Sequence, residues 1–190
     1  MYIRYPCTPM EIAGSVTTRD TDGFEVLLAR HRGIVLKVAA SYALHREDRA
    51  ELAQEIQLQL WRAWPGYDPA RSFPTWMYRI ALNVAIDHVR RQGGQRGRAE
   101  AFDECLHDVA APGPDSALHD QLRLLQDFIR SRAPFERALL LLYLEERSTR
   151  EIAEVLGIGE GNVTTRISRL KQRLREHVRS NHPEAHDGTR

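Results

Sequence analysis

Residues 148–177, STREIAEVLGIGEGNVTTRISRLKQRLREH, constrain the fold more than any other stretch, because they predict two short helices joined by a tight turn. Ser148 and Glu151 have the spacing of a capping box, in which each residue satisfies a free amide group of the other at a helix start. Gly157 is expected to end the first helix, since glycine takes the left-handed conformation there without a steric cost. The second helix is expected to start near Glu160.

This second helix has two chemically different sides. Its apolar side is predicted from spacings of four, three and four residues between Val163, Ile167, Leu170 and Leu174. The remaining surface carries basic residues against a single acid, Glu176: Arg166, Arg169, Lys171, Arg173, Arg175 and Arg179. A basic helix braced by a shorter one has the shape and charge to enter a DNA major groove. The alternative is a helix pair whose charges only face water, but the capping box, the turn glycine and the one-sided charge together favour DNA binding.

The whole chain is predicted to be all-α, with two small helical domains joined by a flexible linker and the helix-turn-helix in the second domain. We expect a flexible leader at 1–20, a first domain at 21–92, a linker at 93–116, a second domain at 117–179 and a disordered tail at 180–190. Asp22 is expected to cap the first helix. The pair Gly93 and Gly94 is expected to end the third.

Composition and motifs exclude several classes of protein. Cys7 and Cys105 lie far apart and outside any metal-ligand spacing, so we expect no metal site, cofactor or disulfide framework. The sequence has no phosphate loop, no HExxH and no order of residues typical of a serine hydrolase, so we expect no catalytic residues and no enzyme. No apolar run reaches the length of a membrane span and the N-terminus lacks the order of a signal peptide, which predicts a cytoplasmic protein without direct membrane insertion.

Two further surfaces lie in the first domain. Residues 47–64 predict an amphipathic helix whose polar side bears Glu51, Gln54, Glu55 and Leu58; this side is either solvated or a docking face for a basic helical partner, and the residues alone favour solvation. Residues 71–98 carry six arginines against one acid, and aromatic residues are interleaved with them. That mixture suits single-stranded nucleic acid, because rings stack on unpaired bases while guanidinium groups hold phosphates. The alternative is that the aromatic residues are core, which is favoured for Trp76.

Residues 24–177 resemble a bacterial RNA polymerase sigma factor of the small extracytoplasmic-function (ECF) group. The segments that carry the resemblance are ELAQEIQLQLWRAW, FPTWMYRIALNVAIDHVRR and ERALLLLYLEERSTREIAEVLGIGEGNVTTRISRLKQRLRE. The resemblance implies a promoter-specificity subunit that directs transcription initiation and has no enzymatic activity of its own. It implies core RNA polymerase, promoter DNA and an anti-sigma factor as partners, with a linker that permits closed and extended arrangements of the two domains.

The resemblance also assigns residues to roles. It reverses the preference for solvation, because the first segment would dock on the clamp helices of the largest polymerase subunit through Glu51, Gln54, Glu55 and Leu58. The second segment would capture melted minus-ten DNA, with a pocket for an extruded base near Gly66, Tyr67 and Asn83 and with backbone contacts from Arg79, Arg90 and Arg91. The third would read the minus-thirty-five element, with Thr165, Ser168 and Arg169 at bases and Arg150, Asn162, Thr164 and Arg166 on the phosphate side.

A stand-alone helix-turn-helix repressor or activator is the other DNA-binding class that the sequence allows. It would explain the second domain but would leave residues 51–91 without a role. Such regulators usually need a dimer interface matched to the spacing of half-sites, and no spare apolar helix is predicted to supply one.

Overall fold

A computed structural model describes the backbone of residues 18–96 and 116–181 and the side chains of residues 23–92 and 121–181. All regular structure in these ranges is helical, which confirms the predicted fold class. The first domain contains α1 (Thr18–Tyr42), α2 (Arg46–Ala63), a short 3-10 turn (Trp64–Gly66) and α3 (Phe73–Arg96). The second contains α4 (Ser116–Arg130), α5 (Pro134–Leu144), α6 (Thr149–Leu156) and α7 (Glu160–Asn181).

The core of the first domain lies where the three helices meet. Val35 and Val38 of α1 are fully buried there, as are Leu52, Ile56 and Leu60 of α2. α3 contributes Met77, Tyr78, Ala81, Leu82 and Ala85, of which the two alanines allow neighbouring helices to approach closely. Full burial of each large aliphatic side chain stabilises the fold by about 1.5–3 kcal/mol, so this core fixes where the polar sides of α2 and α3 point.

The predicted turn between α6 and α7 is confirmed in detail. The backbone N–H of Glu151 donates to Ser148 Oγ at 3.2 Å, and the backbone N–H of Ser148 donates to Glu151 Oε2 at 2.9 Å. The hydroxyl of Ser148 also donates to Glu151 Oε2 at 2.7 Å. This bond and the bond from the Ser148 backbone N–H hold the pKa of Glu151 below its usual range. Gly157 has a φ of 64°, the left-handed conformation that ends α6. α7 then buries Val163, Ile167 and Leu170 against the rest of the domain.

Two expected helix ends are wrong, at the start of α1 and at the end of α3. α1 begins at Thr18, so Asp22 lies inside the helix and does not cap it. α3 continues through Gly93 and Gly94 to Arg96, because a glycine inside a helix costs only about 1 kcal/mol and no proline follows to prevent continuation. α7 extends to Asn181, beyond the expected start of the tail. Most of the leader, the linker and the tail lies outside the described residues.

The two domains pack against each other. α3 contacts both α5 and α6, and α1 contacts α5. Buried residues of both domains belong to one continuous hydrophobic cluster. Close packing therefore extends across the boundary between the domains.

Removal of the capping hydroxyl should weaken the second domain. We expect Ser148→Ala to lower its free energy of unfolding by about 1 kcal/mol, because one helix N-terminus loses the acceptor for its amide group. Urea unfolding followed by circular dichroism measures the change. Ser168→Ala is the matched control, since Ser168 is an exposed helical serine without a capping role; an equal loss in both variants would contradict the assignment.

Candidate partner and nucleic-acid interfaces

The exposed side of α7 carries the residues expected to read bases. Thr165, Ser168 and Arg169 are exposed. At 3.6 residues per turn they lie on the side of α7 opposite the buried Val163 and Ile167. Arg169 forms no ion pair or side-chain hydrogen bond with another residue in the described ranges, so its planar fork of donors is available to a ligand.

The residues expected on the phosphate side are held in place by neighbours. Arg166 Nε donates to Asn162 Oδ1 at 2.8 Å, and its guanidinium lies 5.4 Å from the centroid of the Phe135 ring. The hydroxyl of Thr164 donates to the carbonyl of Glu160 at 3.1 Å, which leaves its oxygen as an acceptor. Arg150 is exposed in the first turn of α6. On α7, Asn162, Thr164 and Arg166 thus flank the exposed side that carries the base-reading candidates.

The polar side of α2 is a mixed acidic and apolar surface. Glu51 and Gln54 are exposed and Leu58 is 47% exposed, as expected for a docking face. Trp61, which the sequence reasoning missed, continues this surface at 41% exposure, and its ring meets the ring of Phe24 at a centroid distance of 5.4 Å. Trp61 lies seven residues after Gln54, which places it two helical turns further along the same side of α2. This spacing could have identified Trp61 as part of the surface.

Glu55 connects the expected docking face with the expected DNA-binding helix. Its Oε1 lies 2.6 Å from Arg91 Nη2, and its Oε2 lies 3.8 Å from Nδ1 of the buried His88. The hydrogen bond to Glu55 is the main cause that raises the pKa of Arg91. His88 in turn contacts Gln92 at 2.8 Å. Glu55 and Arg91, which the family resemblance assigns to polymerase and to DNA, are therefore hydrogen-bonded to each other.

Tyr67 belongs to an aromatic cluster at the start of α3. Its ring stacks on Trp64 at 5.2 Å between centroids and lies 5.0 Å from Trp76. Its hydroxyl donates to the carbonyl of Arg71 at 2.8 Å, which fixes the loop between the 3-10 turn and α3. The partly buried Trp76 packs against the hydrophobic core, as the sequence favoured. Gly66 is exposed beside this cluster.

The other minus-ten candidates lie further along α3. Arg79 and Asn83 are partly buried and one turn apart on the same side of the helix. Asn83 lies two turns beyond Trp76, about 10 Å along the axis, so the aromatic cluster and the amide mark the two ends of the expected site. Arg90 is exposed near the end of the helix, 3.4 Å from Asp87.

The described residues form neither a metal-binding cluster nor a membrane-spanning helix. Within the described ranges, no three histidine, cysteine or acidic residues are grouped so that they could hold a metal ion. None of the described helices is both long enough and apolar enough to cross a membrane.

These features define an all-helical protein of two domains, one with a helix-turn-helix and the other with an arginine-rich helix. Residues 27–95 match the Sigma-70 region 2 family and residues 134–174 match the Sigma-70, region 4 family. RNA polymerase sigma factor CarQ of Myxococcus xanthus is 31% identical over 156 residues, which cover 82% of this chain and 88% of CarQ. The chain belongs to the ECF group of RNA polymerase sigma factors and is a transcription initiation factor, not an enzyme.

Two other proteins illustrate the range of similarity. The ECF RNA polymerase sigma factor SigE of Mycolicibacterium smegmatis is 34% identical over 161 residues; these cover 82% of this chain but 61% of SigE, so the chain spans less than two thirds of that relative. The sigma factor RpoE, solved in complex with the anti-sigma factor NepR from Bartonella quintana, shares the fold with a TM-score of 0.68 at 18% identity. That match covers 83% of this chain and 98% of RpoE.

Gly66 offers a substitution that tests the loop without disturbing the fold. A Cβ added at Gly66 would meet no atom within 4 Å, so we expect Gly66→Ala to change the free energy of unfolding by no more than about 0.5 kcal/mol. Thermal unfolding provides the measurement, and Ala81→Gly is a comparison in the buried core that should be clearly destabilising. A large loss of stability in Gly66→Ala would mean that the glycine is structural.

Proposed function

We propose that this sigma factor binds core RNA polymerase, reads the minus-thirty-five element of a promoter with α7 and captures melted minus-ten DNA with α3. The single observation that carries the proposal is the exposed side of α7, where Thr165, Ser168 and Arg169 lie opposite the buried apolar residues. Arginine bound to a guanine edge is the commonest specific contact in a major groove, and Arg169 is the residue on this side able to make it.

Core polymerase would dock on the polar side of α2. The surface combines acidic and amide groups, Glu51, Gln54 and Glu55, with the exposed side chain of Leu58. The charge of this surface complements that of a basic helical partner. The proposed partner is the pair of clamp helices of the largest polymerase subunit. The exposed ring of Trp61 supplies a second apolar contact at the end of the same surface. Aromatic residues of this kind often carry much of the binding energy of an interface.

Minus-ten DNA would be captured between the loop before α3 and the exposed part of that helix. Gly66 and Tyr67 would form one side of a pocket for an extruded base, and the amide of Asn83 would bind the hydrogen-bonding edge of the base. Arg79, Arg90 and Arg91 would bind phosphates and position the strand without reading its sequence. Melting then needs no hydrolysis, because preferential binding of the unpaired strand shifts the equilibrium toward open DNA.

An anti-sigma factor is the proposed regulator. It would act in the cytoplasm, because the promoter and the polymerase are there. The shared fold with RpoE, which was solved in complex with the anti-sigma factor NepR, supports this part of the proposal. The exposed apolar and acidic side of α2 is the surface that such a regulator would cover, since covering it prevents polymerase docking.

Run-off transcription with core polymerase on a promoter library tests the function as a whole. Addition of the chain should produce initiation sites that core polymerase alone does not use. Leu58→Asp should reduce that initiation, because it places an unpaired charge in the docking face. Leu36→Asp is the control, since Leu36 is also exposed but lies on α1. Absence of new initiation sites with the unaltered chain would overturn the proposal.

The two DNA contacts are separable by substitution. Arg169→Ala should lose about 1–3 kcal/mol of discrimination at one position of the upstream element, roughly 5- to 150-fold, because a bidentate contact to a base is removed. Arg175→Ala, a control with the same loss of charge on the same helix, should weaken binding without changing base preference. Asn83→Ala should impair initiation on intact duplex and shift the minus-ten preference. Identical promoter profiles for Arg169→Ala and Asn83→Ala would contradict the division of roles.

A further inference from the structure

The hydroxyl group of Thr165 is already bonded within α7. Thr165 Oγ1 donates to the carbonyl of Gly161, four residues earlier, at 2.9 Å. A threonine hydroxyl has one proton and two lone pairs. Because its proton is used inside the helix, the side chain offers a ligand an acceptor oxygen and a γ-methyl group but no donor. Thr165 is exposed, so a ligand on this side of α7 can reach the side chain.

Thr165 is chemically distinct from the other two base-reading candidates. Arg169 supplies donors only, and Ser168 has no methyl group. Thr164 has the same kind of internal bond, from its Oγ1 to the carbonyl of Glu160 at 3.1 Å, but it lies about 100° away around the helix, on the proposed phosphate side. Thr165 is therefore the one base-reading candidate that combines a methyl group with a hydroxyl whose proton is already used.

Base pairs differ in how well they fit such a side chain in the major groove. Thymine presents a C5 methyl group, and its adenine partner presents the N6 amino group as a donor. A G·C pair offers a donor on cytosine but no methyl group, and its guanine presents only the acceptors N7 and O6. Donation to those acceptors would require Thr165 to break its bond to Gly161. The side chain therefore fits an A·T pair better than a G·C pair.

We propose that Thr165 selects a thymine in the minus-thirty-five element by packing its γ-methyl group against the C5 methyl group of the base. The inference rests on the proposed function, because it requires the exposed side of α7 to enter the major groove. Thr165 lies four residues before Arg169, about 6 Å along the helix axis. At roughly 3.4 Å per base pair, the selected thymine lies within about three base pairs of the position that Arg169 reads.

Removal of single methyl groups from the DNA and from the protein tests the contact. The full chain bound to core polymerase first selects upstream sequences from a randomised promoter library. Each thymine of the selected element is then replaced by deoxyuridine, which removes only the C5 methyl group, and the affinity for the duplex is measured by competition. One replacement should lower the affinity of the unaltered chain by about 4-fold, the factor that corresponds to burial of one methyl-sized group.

Thr165→Ser removes only the methyl group on the protein side. This variant should bind the thymine duplex about 4-fold more weakly than the unaltered chain. It should also be indifferent to the deoxyuridine that weakens the unaltered chain, because one partner of the contact is already missing. Thr165→Val keeps a γ-methyl group and loses the hydroxyl, so it should remain sensitive to that replacement.

Thr164→Ser is the matched control. It loses the same methyl group from a neighbouring exposed threonine that has the same kind of internal bond. It should keep the full sensitivity of the unaltered chain to deoxyuridine. Circular dichroism and thermal unfolding check that each variant folds as the unaltered chain does.

The outcomes separate this inference from the proposed function. Equal affinity for every deoxyuridine duplex, or a Thr165→Ser variant that keeps the full sensitivity, would overturn methyl recognition. Arg169→Ala in the same assay shows whether α7 reads the element at all. A changed base preference in Arg169→Ala, with no effect of any deoxyuridine, would leave the proposed function in place and reject the role of Thr165. If no upstream sequence is selected, both the proposed function and the role of Thr165 fail.

Discussion

In the first domain, the orientations of the polar side of α2 and of the exposed side of α3 both depend on the packing of α3. This helix lies against α1 and α2 on one side and against α5 and α6 on another. Its inward residues are fully or almost fully buried, and the small side chains of Ala81 and Ala85 let neighbouring helices approach. Arg79 and Asn83, outside this inward side, are themselves partly buried. The packing that stabilises the first domain therefore also restricts the positions of these two minus-ten candidates, whereas Arg90 and Arg91 are exposed.

The parts of the fold that local chemistry determines could be predicted from the sequence. The capping box of Ser148 and Glu151, the left-handed Gly157 and the apolar side of α7 each follow from residues a few positions apart. The outward position of Thr165, Ser168 and Arg169 follows as well, because Val163 and Ile167 are buried on the opposite side of α7. For the same reason the polar side of α2 was predictable once its buried residues were known.

The features that the sequence did not predict depend on contacts between distant segments or on small energy differences. Glu55 was assigned to one partner and Arg91 to another, and no local pattern indicates that they meet at 2.6 Å. The packing of α3 against α6 is likewise a tertiary contact between residues separated by the linker. The continuation of α3 through Gly93 and Gly94 was missed because a glycine pair only weakens a helix and does not by itself end it.

The Glu55–Arg91 pair links the proposed docking face of α2 to the proposed DNA-binding side of α3. The side chain of Arg91 is 62% exposed and that of Glu55 is 28% exposed, so solvent screens the pair and it contributes only about 0.2–1 kcal/mol. A basic helix that approaches Glu55 can therefore compete with Arg91 at small cost. Release of Arg91 would add a cation to the side of α3 that is proposed to bind phosphates. Because the carboxylate of Glu55 lies on the proposed docking face and pairs with an arginine of the proposed DNA-binding helix, the charge of each surface would depend on whether the other is occupied.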